Sequence, residues 1–85
     1  MKLFKIPRAE RYLRELAAIE FNTAAMALVE ELKRGRKASY IFRKDIFSDT
    51  LLNEVKPLLC EKFKKAGYHI LFDDAEIFLK VEIFF

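Results

Sequence analysis

The last ten residues, Glu76-Ile77-Phe78-Leu79-Lys80-Val81-Glu82-Ile83-Phe84-Phe85, largely alternate apolar and polar side chains and are rich in β-branched and aromatic residues. A period of two is the signature of a strand with two unlike faces, and a strand's backbone groups need neighbouring strands as partners. The chain must therefore contain a sheet, with this strand running to its final residue. On that period Ile77, Leu79, Val81, Ile83 and Phe85 share one face and are expected in the core. Phe78, Lys80, Glu82 and Phe84 then point the other way.

An 85-residue chain corresponds to a single globular domain, residues 1–85, and such a domain buries only about 60% of the surface its unfolded chain exposes. A partner or a second copy that covers leftover apolar surface would add useful stability. The composition, 53% hydrophobic and 34% charged with two Gly and two Pro, is that of a compact, regularly folded domain without a low-complexity linker. Cys60 has no second cysteine to pair with and falls in a helical pattern, where it reads as an inert small thiol.

Residues 8–34 read as one long helix, since they lack Gly and Pro and repeat apolar residues at three-to-four spacing. Leu13, Leu16, Ala17, Ala24, Leu28 and Leu32 form its stripe, flanked by Tyr12, Ile19, Phe21 and Val29. Pro7 suits its first turn and Gly35 the position just past its end. Residues 38–43, centred on Tyr40, Ile41 and Phe42, read as a strand. Ser48 or Asp49 then caps a second helix to about Ala66, with Leu51, Leu52, Val55, Leu58, Leu59, Phe63 and Ala66 as its stripe and Gly67 beyond its end. Pro57 is expected to kink that helix or to divide a short first turn from the main part. Tyr68 to Phe72 and Ile77 to Phe85 are strands joined by a tight turn at Asp73-Asp74-Ala75-Glu76.

The order helix, strand, helix, strand, strand makes an α+β fold with a long N-terminal helix. It is expected to form a three-stranded sheet with both helices on one face, extended to four strands if residues 2–6 also pair. Parallel pairing of the first two main strands across the second helix would form a right-handed βαβ unit. The last strand is a candidate edge, where a partner strand could add. With Tyr40 and Phe42 pointing inward, the outer face collects Ile41, Arg43, His69, Leu71, Phe78, Lys80, Glu82 and Phe84. That face is more apolar than solvation requires. It reads equally as ordinary exposure on a small sheet and as a protein-binding surface, for which Ile41, Leu71, Phe78, Lys80 and Phe84 are the candidate residues.

The net charge of +3 hides an asymmetry. Residues 1–44 carry 11 Lys/Arg against 5 Asp/Glu, a balance of +6, and residues 45–85 carry 5 against 8, a balance of −3. Lys33, Arg34, Arg36 and Lys37, joined by Arg43 and Lys44, could neutralise several phosphates at once and are the candidate residues for sequence-tolerant nucleic-acid binding. The same cations also suit the C-terminus of a helix through its macrodipole. The aromatic signature of an RNA-binding sheet is missing, and two helices separated by a strand do not form a helix-turn-helix.

Nucleophilic catalysis needs a Ser or Cys beside a base, yet Ser39 and Ser48 lack an elbow context and His69 is the only histidine. One Cys and one His cannot make a zinc site, and Gly35 and Gly67 are too isolated for a phosphate-cradling loop. The expectation is a non-enzyme with no cofactor, metal or small-molecule substrate. No apolar run is long enough to span a bilayer, and the first residues lack the apolar core of a signal peptide, so a cytoplasmic protein without membrane association is expected.

From Asn22 to Phe85 the chain resembles small accessory proteins of tailed bacteriophages. The shared pattern is a helix ending near Lys/Arg-Gly, a short strand, a Ser/Asp-capped helix ending in Ala66-Gly67-Tyr68, and a closing hairpin. The basic first half and Pro57 depart from it. The resemblance implies a binding protein of the host cytoplasm, for example an inhibitor of a host enzyme or defence complex, and it carries over no functional residue. The expected partner is another protein, itself as a homodimer, or both, met through the apolar outer sheet face or the exposed side of the long helix, with nucleic acid as the alternative.

Overall fold

The computed structural model describes residues 3–85 as an α+β domain in the order α1 (Ala9–Leu32), β1 (Lys37–Arg43), α2 (Asp49–Lys65), β2 (His69–Asp74) and β3 (Phe78–Phe84). The three strands form one antiparallel sheet in the order β1-β3-β2. The βαβ expectation needs correction here. β1 and β2 do run in the same direction, but β3 lies between them and hydrogen-bonds to both, so they do not pair. The last strand is therefore central, and β1 and β2 are the edges. Leu79, Val81 and Ile83 are fully buried, and only a central position surrounds one strand with neighbours on both sides.

Those three residues meet Ala38 and Phe42 of β1, Leu28 and Leu32 of α1, and Leu52, Val55, Leu59 and Phe63 of α2 in a single core. Phe42 is wedged edge-on between Tyr40 and Phe47, with ring centroids at 4.9 and 5.7 Å. Ile70 and Phe72, on the inner side of β2, are only half-buried. Among the described residues the core contains no buried polar or charged side chain.

The 24 residues of α1 span about 36 Å at 1.5 Å per residue, within a molecule measuring 55 × 27 × 19 Å. Its first residue to pack on the core is Leu13 and its first buried residue is Ala17, so only the first turn overhangs the body. The helix starts at Ala9, after an extended Arg8 (φ −66°, ψ 135°), which leaves Pro7 outside the first turn. Leu3 to Pro7 form neither helix nor strand and are exposed, and the described part of the expected fourth strand pairs with nothing in the sheet. Lys2 lies outside the described residues.

In α2, Ser48 caps the N-terminus by accepting a hydrogen bond from the Leu51 N–H at 3.2 Å. The helix runs through Pro57 as one element. Pro57 and Asn53, whose carbonyl loses its intrahelical donor, are both exposed, so water can satisfy that oxygen. The C-terminus closes in a Schellman motif. Tyr68 N–H reaches Phe63 O, Gly67 N–H reaches Lys64 O, and Gly67 adopts φ +92°, a conformation that favours glycine. The Tyr68 ring packs on Phe63 across the cap, 6.0 Å between centroids.

The hairpin turn lies further along the chain than expected. Asp74 still pairs with Leu79, and Ala75 N–H bonds to Phe78 O, which puts Glu76 and Ile77 at the tip. Ile77 is consequently 74% exposed and leaves the expected core set. Phe85 leaves it too. It lies beyond the last paired residues and rests against Tyr68 at 5.4 Å, mostly in solvent.

Asp74 stays in the strand because it is held from two sides, by Lys44 after β1 and by Lys56 of α2 (2.9 Å), while Lys44 also approaches Asp49 at 3.5 Å. The Lys44 and Lys56 ammonium groups hold the Asp74 carboxyl down at about 2, against an ordinary 3.8. The same pairing raises Lys44. A depressed carboxyl stabilises the folded state fully above its unfolded value and loses that contribution as pH falls through its folded one. Asp74→Asn should therefore lower the urea midpoint near neutral pH, and the gap from wild type should close as pH falls from about 4 to about 2. A gap of constant size would show that the pairing is not the cause. The position of the turn makes a second prediction: Leu79→Ala should cost about 2–5 kcal/mol, whereas Ile77→Ala should stay within about 0.5 kcal/mol in the same denaturation experiment.

Candidate protein-binding face of the sheet

The sheet's outer side follows from strand register. β1 contributes Lys37, Ser39, Ile41 and Arg43, which stand opposite Phe84, Glu82, Lys80 and Phe78 of β3. On the other flank His69, Leu71 and Asp73 of β2 stand opposite Phe84, Glu82 and Lys80. All eight expected outer-face residues thus share one surface. Ile41 is 54% exposed, Leu71 is 57% exposed, and Phe78, Lys80, Glu82 and Phe84 are half-buried.

The apolar groups are divided into two areas by charge. At one end the Phe84 ring stacks on His69, with centroids 5.3 Å apart and planes 26° apart, and Leu71 lies beside them. At the other end Ile41 and Phe78 line an open depression of about 590 Å³, bordered by Arg43, Lys44, Glu76 and Ile77. Between these areas Glu82 accepts from Lys80 at 2.9 Å and from Lys37 at 3.1 Å. Lys80 first, then Lys37, hold the Glu82 carboxyl below its ordinary 4.5. This strip can orient a partner, because a docked surface must match its charges or leave them unpaired.

The basic run behaves differently in space than in sequence. Lys37 and Arg43 occupy opposite ends of β1, about 20 Å apart at 3.3 Å per residue. Lys33, Arg34, Arg36 and Lys37 therefore lie at one end of the sheet and Arg43 and Lys44 at the other. The expected union of these six cations is not formed. Four of them have carboxylate partners: Lys33 with Glu30, Lys37 with Glu82, Arg43 with Asp45, and Lys44 with Asp74. Glu31 also reaches the sheet edge, where its carboxylate accepts from the Ser39 N–H at 3.4 Å and occupies a donor that an added strand would need.

Sequence periodicity places the face, but not the polar strip. Lys37, read as part of a phosphate-binding run, belongs to the sheet because cross-strand register sets it within reach of Glu82. Among the described residues no group of three or more His, Cys, Asp or Glu side chains could hold a metal ion. No helix among them is long and apolar enough to cross a membrane. If the two lysines are what hold Glu82 down, the Lys37→Ala/Lys80→Ala variant should titrate Glu82 at a higher pH than wild type. Carboxyl-carbon NMR shifts would show this, and an unmoved titration would dismiss the strip as an electrostatic unit. Comparison with known proteins gives no counterpart: no family model, no curated protein and no solved structure matches this chain significantly.

Proposed function

We propose that this protein is a small non-enzymatic binding protein that takes another protein on the outer face of its sheet, with Ile41, Leu71, Phe78 and Phe84 as apolar contacts and Lys80 in the orienting strip. The observation that carries this reading is the exposure of Ile41 and Leu71 beside two aromatic rings on the side away from the core. Aromatic anchors surrounded by paired charges are the usual make-up of an energetic centre in a protein contact. The resemblance to phage accessory proteins agrees with this class of activity and suggests a host protein in the cytoplasm as its target. The division and pairing of the six cations favour a protein over a phosphate backbone as the principal partner.

The test uses the full chain as bait in extracts of its source cells, with wild type beside Phe78→Ser/Phe84→Ser. Circular dichroism must first establish that the double variant is folded. A protein recovered stoichiometrically with wild type should be lost with the variant, since central aromatic anchors are worth about 2 kcal/mol or more each. Crosslinks to it should fall on β1, β2 and β3. Retention of the same partner by the variant would remove this face as the site. Recovery of nucleic acid instead, with release on raising salt, would favour the basic residues Lys33, Arg34, Arg36 and Lys37.

A further inference from the structure

α1 is apolar on two opposite sides. One side carries Ala17, Ala24, Leu28 and Leu32 into the core. The other carries Tyr12, Ile19 and Met26, which are 49%, 56% and 71% exposed. A spacing of seven is two helical turns less about 20°, so these three side chains form a single line about 21 Å long. The body of the molecule lies on the far side of the helix from this line.

The exposed line is flanked by charges of opposite sign: Arg8 lies one turn before Tyr12, and Glu30 lies one turn after Met26. An antiparallel neighbour would bring a glutamate to the arginine end and an arginine to the glutamate end. A second copy of the same helix supplies both.

We infer that α1 pairs antiparallel with α1 of a second copy about a two-fold axis at Ile19, so that Ile19 meets Ile19, Tyr12 meets Met26, and Arg8 meets Glu30. One register satisfies all three contacts, because Arg8 lies four residues before Tyr12 and Glu30 four residues after Met26. Parallel pairing would instead set Arg8 on Arg8 and Glu30 on Glu30. Glu30 is bound to Lys33 only through Oε1, in a pair in which both side chains are about two-thirds exposed, so it remains open to a second cation. The same register sets Glu15 beside Thr23 of the second copy, and this polar flank makes the contact a reversible one. The inference does not depend on what occupies the sheet face.

Sedimentation equilibrium of the full chain from micromolar to millimolar concentration tests it. Wild type should form a dimer, and Ile19→Lys, which brings two ammonium groups together at the axis, should be monomeric with an unchanged far-ultraviolet spectrum. Arg8→Glu should raise the dissociation constant roughly tenfold, since each dimer loses two exposed ion pairs and gains repulsion. Adding Glu30→Arg should restore it. In a Cys60→Ala background, Ile19→Cys should oxidise to a covalent dimer. Phe78→Ser/Phe84→Ser should dimerise as wild type does, which separates this interface from the sheet face. A monomer at every concentration, a dimer indifferent to Ile19→Lys, or a charge swap that fails to restore Arg8→Glu would each overturn the inference.

Discussion

The structure depends on the burial of one side of β3. Leu79, Val81 and Ile83 are each wholly removed from solvent, at a gain of roughly 1.5–3 kcal/mol per side chain, and no edge position would have enclosed all three. Centring β3 forces β1 and β2 to the edges in a common direction, and the chain between them must then cross from one edge to the other. α2 makes that crossing with Leu52, Val55, Leu59 and Phe63 turned into the core. α1 closes the remainder of the core with Leu28 and Leu32.

A three-stranded sheet covered by helices on one side leaves its other side to solvent, and here that side is managed without being made fully polar. Glu82 sits on the central strand between Lys37 and Lys80, which puts a fixed charge strip where a continuous apolar surface would invite indiscriminate association. Lys44 and Lys56 secure Asp74 at the end of β2, and Glu31 obstructs part of the β1 edge. Exposed apolar surface is left in discrete places, among them the two ends of the sheet face, one line on α1, and Leu3, Phe4 and Ile6 ahead of that helix. A protein this small can thus present distinct surfaces while its core remains wholly apolar.

Much of this was legible in the residues. The Ser48 cap, the Gly67 closure and the strand period from Phe78 onward are local, and each forms as its chemistry requires. Misreadings came where distant groups intervened. Asp73-Asp74 has the composition of a turn, yet Asp74 remains in β2 because two lysines from other elements hold it, and this moves the turn forward and exposes Ile77. Tyr12 and Ile19 look like flanks of the core stripe, although helical geometry and the limited width of the body place them on the opposite side. Lys37 and Arg43 look like neighbours in one basic run, but an extended strand separates them.

The sequence by itself determined an α+β domain with five elements and their faces, because caps, glycine closures and apolar periodicity act within a few residues. Tertiary structure alone decided that β3 lies between β1 and β2, that Asp74 extends its strand, and that the basic run is split between the two ends of the sheet. Those outcomes rest on cross-strand register and on ion pairs such as Lys44 with Asp74, 30 residues apart. Such partners are selected by how the elements pack in space, which periodicity along the chain does not encode.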